Sequence, residues 1–220
     1  HERGAEVVRA ITTESVRLGI ARLTLYAFST ENWKRPRLEV DTLMRLLRQY
    51  LNQELDTLMR NRIRFRSIGR REGLNPSIRR DIERAERATA GNDRMLLTVA
   101  LNYSGRAEIV DAARRLAAEW IATGRDPATI ADADLERHLY APDVPDPDLL
   151  VRTSGEMRVS NFMLWQIAYT EIFVTETLWP DFRKQHLFEA IVEYQKRDRR
   201  YGGAEDAPSL TSAGAGQSGR

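Results

Sequence analysis

Charged and hydroxyl side chains are concentrated directly after an apolar run that begins at Leu149. Within nine residues the chain carries two arginines, three hydroxyl residues, a glycine and a glutamate, namely Arg152, Thr153, Ser154, Gly155, Glu156, Arg158 and Ser160. Guanidinium groups match phosphate oxygens in pairs, hydroxyls donate further hydrogen bonds, and a glycine lets the backbone approach a ligand closely. These residue types predict an oxyanion site, with diphosphate as the natural ligand. The alternative is a loop whose arginines pair with Glu156 and with the acidic residues before it.

A second polar segment, Ser29 to Pro36, follows the apolar run Arg22 to Phe28 and has Trp33 near its centre. The run has the length and composition of a buried strand. In parallel α/β sheets, ligands bind at the carboxyl ends of the strands. The segment is therefore a second candidate for contact with a ligand.

Apolar runs of strand length alternate with helical patterns along most of the chain. Strands are predicted at 22–28, 63–68, 94–102, 148–152 and 171–174, and helices at 5–18, 39–61, 75–90, about 106–120, 132–139 and 184–200. This alternation calls for a mostly parallel sheet covered on both faces. We predict one α/β domain over residues 1–203, with a mostly parallel central sheet and helices on both faces. Residues 204–220, which contain scarcely an apolar anchor, are predicted to be a disordered tail.

Composition excludes several classes of protein. The 34 basic and 32 acidic residues leave a net charge of +2, so a pI near 9.0 does not indicate a nucleic-acid partner. The absence of cysteine excludes disulfides and thiolate chemistry and fits a reducing compartment. No apolar run approaches the roughly 20 residues of a membrane span. We expect a soluble cytoplasmic protein.

Several motifs stand in the same order as the signature blocks of a known family. They are Thr24–Trp33, Ala100–Tyr103, Arg152–Glu156 with Arg158–Phe162, Trp165-Gln166, Leu178–Phe182 and Arg199–Gly203. In these blocks the chain resembles the cis-prenyltransferases from His1 to Gly203, and the bacterial undecaprenyl diphosphate synthases are the nearest likeness. A generic phosphate-binding enzyme is disfavoured, since the chain has neither a P-loop nor a dinucleotide-binding glycine motif.

The resemblance implies an elongation reaction. An allylic diphosphate such as farnesyl diphosphate receives successive units of isopentenyl diphosphate, each adding a Z double bond and releasing diphosphate with the help of Mg²⁺. The enzyme must stabilise the departing diphosphate, align the second substrate and let a proton leave its C2 atom.

The resemblance also implies roles for individual residues. Arg152, Arg158 and Ser160 would bind isopentenyl diphosphate, and Ser29 and Asn32 would lie near the departing proton. His1 begins a His-x-x-Gly match near the phosphates, Arg35 is a further phosphate-side cation, and Glu171 would help to hold Mg²⁺. Trp33 would either lie against the prenyl chain or pack its own loop.

A growing prenyl chain needs an apolar tunnel, which we expect between the sheet and the long helix predicted at 39–61. Leu47 and Leu51 of that helix would form its wall. The resemblance places Ala27 and Met95 near the far end of the tunnel, and this combination suggests a long product. It also implies a homodimer that delivers its product to the membrane from a position peripheral to the inner membrane face.

One family motif has no counterpart in this sequence. An Asp-Gly-Asn-Gly-Arg-Trp block, which would provide the main metal-site aspartate and a cradle for the allylic diphosphate, lies upstream of the His-x-x-Gly match in the family. We therefore expect the amino-terminal strand and loop of the domain to be missing from this chain, and the chain to be inactive without them. The alternative function is a non-catalytic partner subunit of a prenyltransferase complex.

Overall fold

Parallel strands form the centre of the computed structural model, which describes residues 2–197 and their side chains from Arg3 onward. The strands β1 (Arg22–Ser29), β2 (Ile63–Ile68) and β3 (Met95–Tyr103) form one sheet in the order β1-β3-β2, and β4 (Leu149–Arg152) and β5 (Glu171–Val174) form a second. All three strand pairings are parallel, as predicted. His1, the Arg199–Gly203 motif and the predicted tail at 204–220 lie outside the described residues.

Helices follow the strands in the predicted alternation. They are α1 (Glu2–Arg17), α2 (Arg37–Gln53), α3 (Leu55–Arg60), α4 (Pro76–Thr89), α5 (Gly105–Thr123), α6 (Asp132–Glu136) and α7 (Lys184–Gln195). The Asn75-Pro76 start of α4 is confirmed, because the Asn75 side chain accepts a hydrogen bond from the Ser77 N–H. Helix α5 begins after Ser104, whose hydroxyl accepts from the Ala107 N–H, and ends at Gly124 in the left-handed conformation.

The apolar run of β3 lies at the centre of the fold. Its residues are almost fully buried, and Leu97 and Ala100 have no exposed surface. Leu97 packs in the main apolar core with residues of α2, α3 and α4, whereas Ala100 packs with Tyr103, Phe162 and Met163 in a separate cluster. Because side chains alternate along a strand, β3 is covered on both faces.

The helix predicted at 39–61 is divided at Glu54. The backbone hydrogen bonds continue through this position, but the dihedral angles depart from helical values there. Glu54 is 3% exposed and its carboxylate pairs with Arg9 of α1. A buried carboxylate needs such a partner, and one 45 residues away fixes where the helix bends.

The prediction of a single sheet is the other point of difference. Within residues 2–197, β1 pairs only with β3 and β4 pairs only with β5, so each of β1 and β4 has an unpaired edge. Both strands are mostly half-buried in spite of their apolar sequences. Leu23 of β1 and Val151 of β4 nevertheless pack in one apolar cluster with α1 and α7, so the two sheets share a core.

In the described part of the chain, no helix has the length and apolar character needed to cross a membrane.

Candidate active site

The segment that follows β4 is fixed by backbone hydrogen bonds to the segment that follows β5. The Ser154 and Gly155 N–H groups donate to the carbonyls of Thr177 and Thr175, at 3.0 and 2.9 Å. Gly155 adopts a φ of +66°, and a Cβ at this position would overlap the Glu176 carboxylate. The glycine is therefore required by both backbone geometry and space.

Arg152 and Arg158 meet at one carboxylate. Both guanidinium groups pair with Glu156, and the Arg158 Nη2 lies 2.6 Å from its Oε1. The predicted ion pairing with Glu156 is thus present, but one negative charge is shared between two positive charges. The site keeps an excess of positive charge.

One hydrogen-bond donor of Arg152 is not used. Its Nε is buried and has no hydrogen-bond partner among the described residues. Burial, and then the neighbouring charge of Arg158, lower the pKa of Arg152 from its ordinary value. Two guanidinium groups close enough to repel each other, one with an unfilled donor, form a site suited to an anion with several oxygens.

Ser160 and Asn161 both adopt left-handed conformations, with φ of +49° and +60°. They line a cavity of about 380 Å³ together with Glu31, Arg106, Arg158, Val159 and Leu164. Ser160 and Arg158 thus border one cavity, as the sequence predicts. Arg106 adds a second arginine to its wall, next to the amino terminus of α5, where the helix dipole favours anions.

The loop after β1 is held by its own side chains. The Ser29 N–H donates to the Asn32 Oδ1 at 2.9 Å, and the indole of Trp33 donates to the Asn102 Oδ1 at 2.6 Å. The Trp33 ring meets Phe28 edge-on, at 4.9 Å between centroids. Trp33 therefore packs its loop against β1 and β3, and contact with a prenyl chain stays a prediction.

Contact between the two predicted polar segments runs through Glu31 and Asn161. The Asn161 Nδ2 donates to the Glu31 Oε1 at 2.8 Å. Burial acts to raise the pKa of Glu31, but hydrogen bonds, that from Asn161 foremost, hold the pKa below its ordinary value. The structure therefore brings the segment with Ser29 and Asn32 beside the segment with Arg158 and Ser160. Arg35 is placed differently, since its guanidinium pairs with Glu39 of α2 in an exposed position.

Glu171 does not lie with Arg152 and Arg158. It pairs in register with Leu149 at the start of β4, whereas Arg152 pairs with Val174 at the other end. At about 3.3 Å per residue, the ends are separated by roughly 10 Å along the strands. The Glu171 carboxylate instead pairs with Arg197 at 2.6 Å. Among the described residues, no group of three or more acidic or histidine side chains could hold a metal ion.

The four predicted tunnel residues are also separated. Leu51 and Met95 are buried in the main core, Leu47 is partly buried against it, and Ala27 is exposed. Ala27 lies level with Ala100 and Leu101, five to six residues beyond Met95, which is roughly 17–20 Å along the strands. Ala27 and Met95 therefore do not lie at a common end, and the tunnel remains a prediction.

Four residues that contact or border the predicted site residues were not singled out from the sequence, namely Glu31, Asn102, Arg106 and Asn161. Glu31, Asn102 and Asn161 stand within the quoted motifs, beside residues that were singled out. Their types could have indicated a role, because polar residues next to ligand-binding side chains often hold those side chains in place. Their partners, up to 130 residues away in the chain, were not visible.

Comparison with known proteins gives concordant results. Residues 1–202 match the model of a family described as "Putative undecaprenyl diphosphate synthase". An isoprenyl transferase from Heliobacterium mobile is 52% identical over 209 residues, which cover 93% of this chain and 79% of the relative. An isoprenyl transferase from Bacillus subtilis is 47% identical, and the match covers 92% of this chain and 78% of that relative.

Solved structures agree with the sequence relatives. Lavandulyl diphosphate synthase from Lavandula x intermedia, in complex with dimethylallyl diphosphate, is 36% identical with a TM-score of 0.89, covering 92% of this chain and 88% of that one. A probable undecaprenyl diphosphate synthase from Campylobacter jejuni is 33% identical with a TM-score of 0.81, covering 92% and 93%. By its sequence along almost its whole length and by its fold, this chain belongs to the undecaprenyl diphosphate synthase family of prenyltransferases.

Proposed function

We propose that this protein condenses isopentenyl diphosphate with an allylic diphosphate of the farnesyl type to make a long-chain Z-polyprenyl diphosphate, a lipid carrier precursor. The observation that carries the proposal is the convergence of Arg152 and Arg158 on the Glu156 carboxylate, together with the cavity that Arg158 and Ser160 line. This group lies past the carboxyl end of β4, where parallel sheets bind ligands. Family membership supports the same reaction.

We assign different roles to the residues of the two loops. Arg152, Arg158 and Ser160 bind the diphosphate of isopentenyl diphosphate, and Glu156 is displaced as the ligand arrives. Ser29 and Asn32 lie near the proton that leaves C2, on the loop that Asn161 connects to the diphosphate site. Orientation by fixed groups converts a reaction between two bound molecules into an effectively unimolecular one, which is a large share of the catalysis such a site provides. We also propose that His1 and Arg35 contact phosphate, which requires the Arg35 guanidinium to leave Glu39.

Isoprenyl transferases generally use a divalent metal, and we propose Mg²⁺, which would neutralise charge on the departing diphosphate. Within one chain, no cluster of acidic or histidine side chains among the described residues could hold the ion, and Glu171 pairs with Arg197. We propose that Glu171 serves the site of a second copy. Ile172 of β5 and Tyr169, which precedes this strand, are 42% and 77% exposed, and we propose that a homodimer forms over them.

A strand between β1 and β4 would complete the domain. Each has an unpaired edge within the described residues, and Leu23 and Val151 already share one apolar cluster. We propose that the family's amino-terminal strand fills this position and brings the Asp-Gly-Asn-Gly-Arg loop to the site.

The prenyl chain grows between the sheet and α2, past Leu47 and Ala27. We propose that the protein works in the cytoplasm, peripheral to the inner face of the membrane, and delivers its product to the membrane. The alternative, a non-catalytic partner subunit, is disfavoured because the relatives are named isoprenyl transferases and the arginine and serine residues of the site are retained together.

Incorporation of labelled isopentenyl diphosphate tests the proposal. The full-length protein, given farnesyl diphosphate and Mg²⁺, should form a product that partitions into organic solvent, and chelation of the metal should stop the reaction. A full-length protein that binds both diphosphates without condensing them would favour the partner subunit. A protein that binds neither would refute the assignment of the site.

A further inference from the structure

The side chain of Asn161 has every hydrogen-bonding group engaged. Its Nδ2 donates to the Glu31 Oε1 at 2.8 Å and to the Ser104 Oγ at 2.7 Å, and its Oδ1 accepts from the Arg106 N–H at 2.9 Å. These partners belong to two different segments, the loop after β1 and the start of α5. One side chain thus connects three parts of the site.

The backbone of Asn161 adds a fourth bond at the same place. Its carbonyl accepts from the Gly105 N–H at 2.7 Å, and it holds a φ of +60°. A Cβ on Gly105 would lie 2.8 Å from the Leu164 side chain and 3.0 Å from the Asn161 carbonyl oxygen, so α5 packs against this loop without room for a side chain. A left-handed, non-glycine conformation persists only where the surroundings fix it.

We propose that Asn161 is a positioning residue that sets the loop after β1, with Ser29 and Asn32, against the diphosphate-binding residues Arg158 and Ser160. The inference rests on the proposed function for what those loops bind. Asn161 contacts neither substrate in this account. It acts through Glu31 on one side and through its neighbour Ser160 on the other.

This role predicts a specific pattern of kinetics. Separation of the two loops leaves the diphosphate site whole, because Arg152, Arg158 and Ser160 lie on the same segment. Chemistry requires both loops, and misplacement by about 1 Å can cost on the order of 100-fold in rate. Loss of the Asn161–Glu31 bond should therefore lower the rate of the first condensation more than it weakens binding of isopentenyl diphosphate.

The substitution Asn161→Asp tests this with almost no change in shape. It replaces the donor to Glu31 by an oxygen and sets two carboxylates against each other, whereas the contact with Ser104 can be kept because the Ser104 hydroxyl can donate to the new carboxylate. Adding Glu31→Gln restores an amide and a carboxylate in the reverse order, so that the glutamine donates instead. Asn92→Asp is the matched control, since the Asn92 amide donates to the Ile63 carbonyl at 2.8 Å, at the start of β2 and away from the site.

The experiment is a single-turnover measurement on the full-length protein, combined with calorimetric titration of isopentenyl diphosphate. We expect Asn161→Asp to slow the first condensation at least about tenfold while the dissociation constant changes less than about threefold. Adding Glu31→Gln should return the rate to within about threefold of the unsubstituted protein, and Asn92→Asp should leave the rate unchanged. A rate that Glu31→Gln does not restore overturns the proposal.

Two further measurements keep the inference separate from folding and from the proposed function. Glu31→Ala changes an exposed residue and leaves the other bonds of Asn161 intact, so it should fold and also slow the first condensation; an unchanged rate in this variant overturns the role of the bond. Hydrogen exchange in segment 29–35 requires no activity. It should become faster in Asn161→Asp and return to normal with Glu31→Gln, even if the unsubstituted protein condenses no substrate. Unchanged exchange would refute the positioning role on its own.

Discussion

Replacing each site arginine by lysine separates guanidinium geometry from charge. Lysine keeps the positive charge of Arg158 but cannot present two parallel N–H groups to a diphosphate. The relevant measurement is the dissociation constant of isopentenyl diphosphate, determined by calorimetry on the full-length protein. It should rise for Arg158→Lys while the charge balance of the site stays the same.

The magnitude follows from burial. The Arg158 side chain is 66% exposed, so a charge-assisted hydrogen bond that it loses falls at the low end of the usual range, about 1.5 kcal/mol, or roughly tenfold in affinity. The Arg152 side chain is 25% exposed and its Nε is buried without a partner. Arg152→Lys should therefore cost nearer 3 kcal/mol, roughly 150-fold.

Arg62 provides a closely matched control. Its side chain is 65% exposed and pairs with Asp93 at 2.6 Å, almost the same exposure and distance as for Arg158. Arg62 lies at the amino-terminal end of β2, however, whereas the predicted site lies past the carboxyl ends of the strands. Arg62→Lys should leave the dissociation constant unchanged. Equal effects of the Arg158 and Arg62 substitutions, or a larger effect for Arg158 than for Arg152, would refute the reasoning from burial.

Three other predictions concern the metal, the tunnel and the response to pH. Glu171→Gln should raise the Mg²⁺ concentration needed for half-maximal rate if the carboxylate serves a second copy; an unchanged metal titration would leave its pairing with Arg197 as its only role. Ala27→Leu should shorten the products, seen by chromatography after dephosphorylation, without loss of stability, whereas Met95→Ala, in the core at 2% exposure, should cost about 2–5 kcal/mol of unfolding free energy. Unchanged product lengths in Ala27→Leu would exclude that position from the tunnel. The hydrogen bonds and charge of Arg70 lower the pKa of Asp111 to about 2, so its stabilising effect is complete above its unfolded pKa near 3.8 and is lost as pH falls toward 2. Asp111→Asn should remove this part of the acid destabilisation in denaturant titrations at pH 2–5, and an identical pH profile would contradict it.

Local sequence was sufficient for most of the fold. The apolar run of β3 and the Asn75-Pro76 start of α4 depend on neighbouring residues, and both were predicted close to their observed limits. The bend at Glu54 was missed because its cause is Arg9, which lies on another helix. The spacing of apolar residues predicts which face of a helix is buried, but it cannot predict an ion pair with a residue on another helix.

In the site, too, features that depend on neighbouring residues were predicted and those that depend on distant contacts were not. The types and spacing of Arg152, Arg158 and Ser160 indicated one site, and the structure pairs both arginines with Glu156 and places Arg158 and Ser160 in the wall of one cavity. Glu171 was assigned to the site from resemblance, yet it was also predicted to begin a strand. In a parallel pair, a residue that begins β5 lies away from the end of β4, so the sequence already contained the geometric objection. The bond between Glu31 and Asn161 depends on tertiary structure and could not be predicted.

The central claim is that one diphosphate is bound by Arg152, Arg158 and Ser160, and the crystal structure of the full-length protein with isopentenyl diphosphate tests it most directly. We predict phosphate oxygens within hydrogen-bond distance of both guanidinium groups, with the Arg152 Nε among the donors and the Glu156 carboxylate displaced from at least one arginine. A diphosphate bound elsewhere, with Glu156 still bridging Arg152 and Arg158, would contradict it.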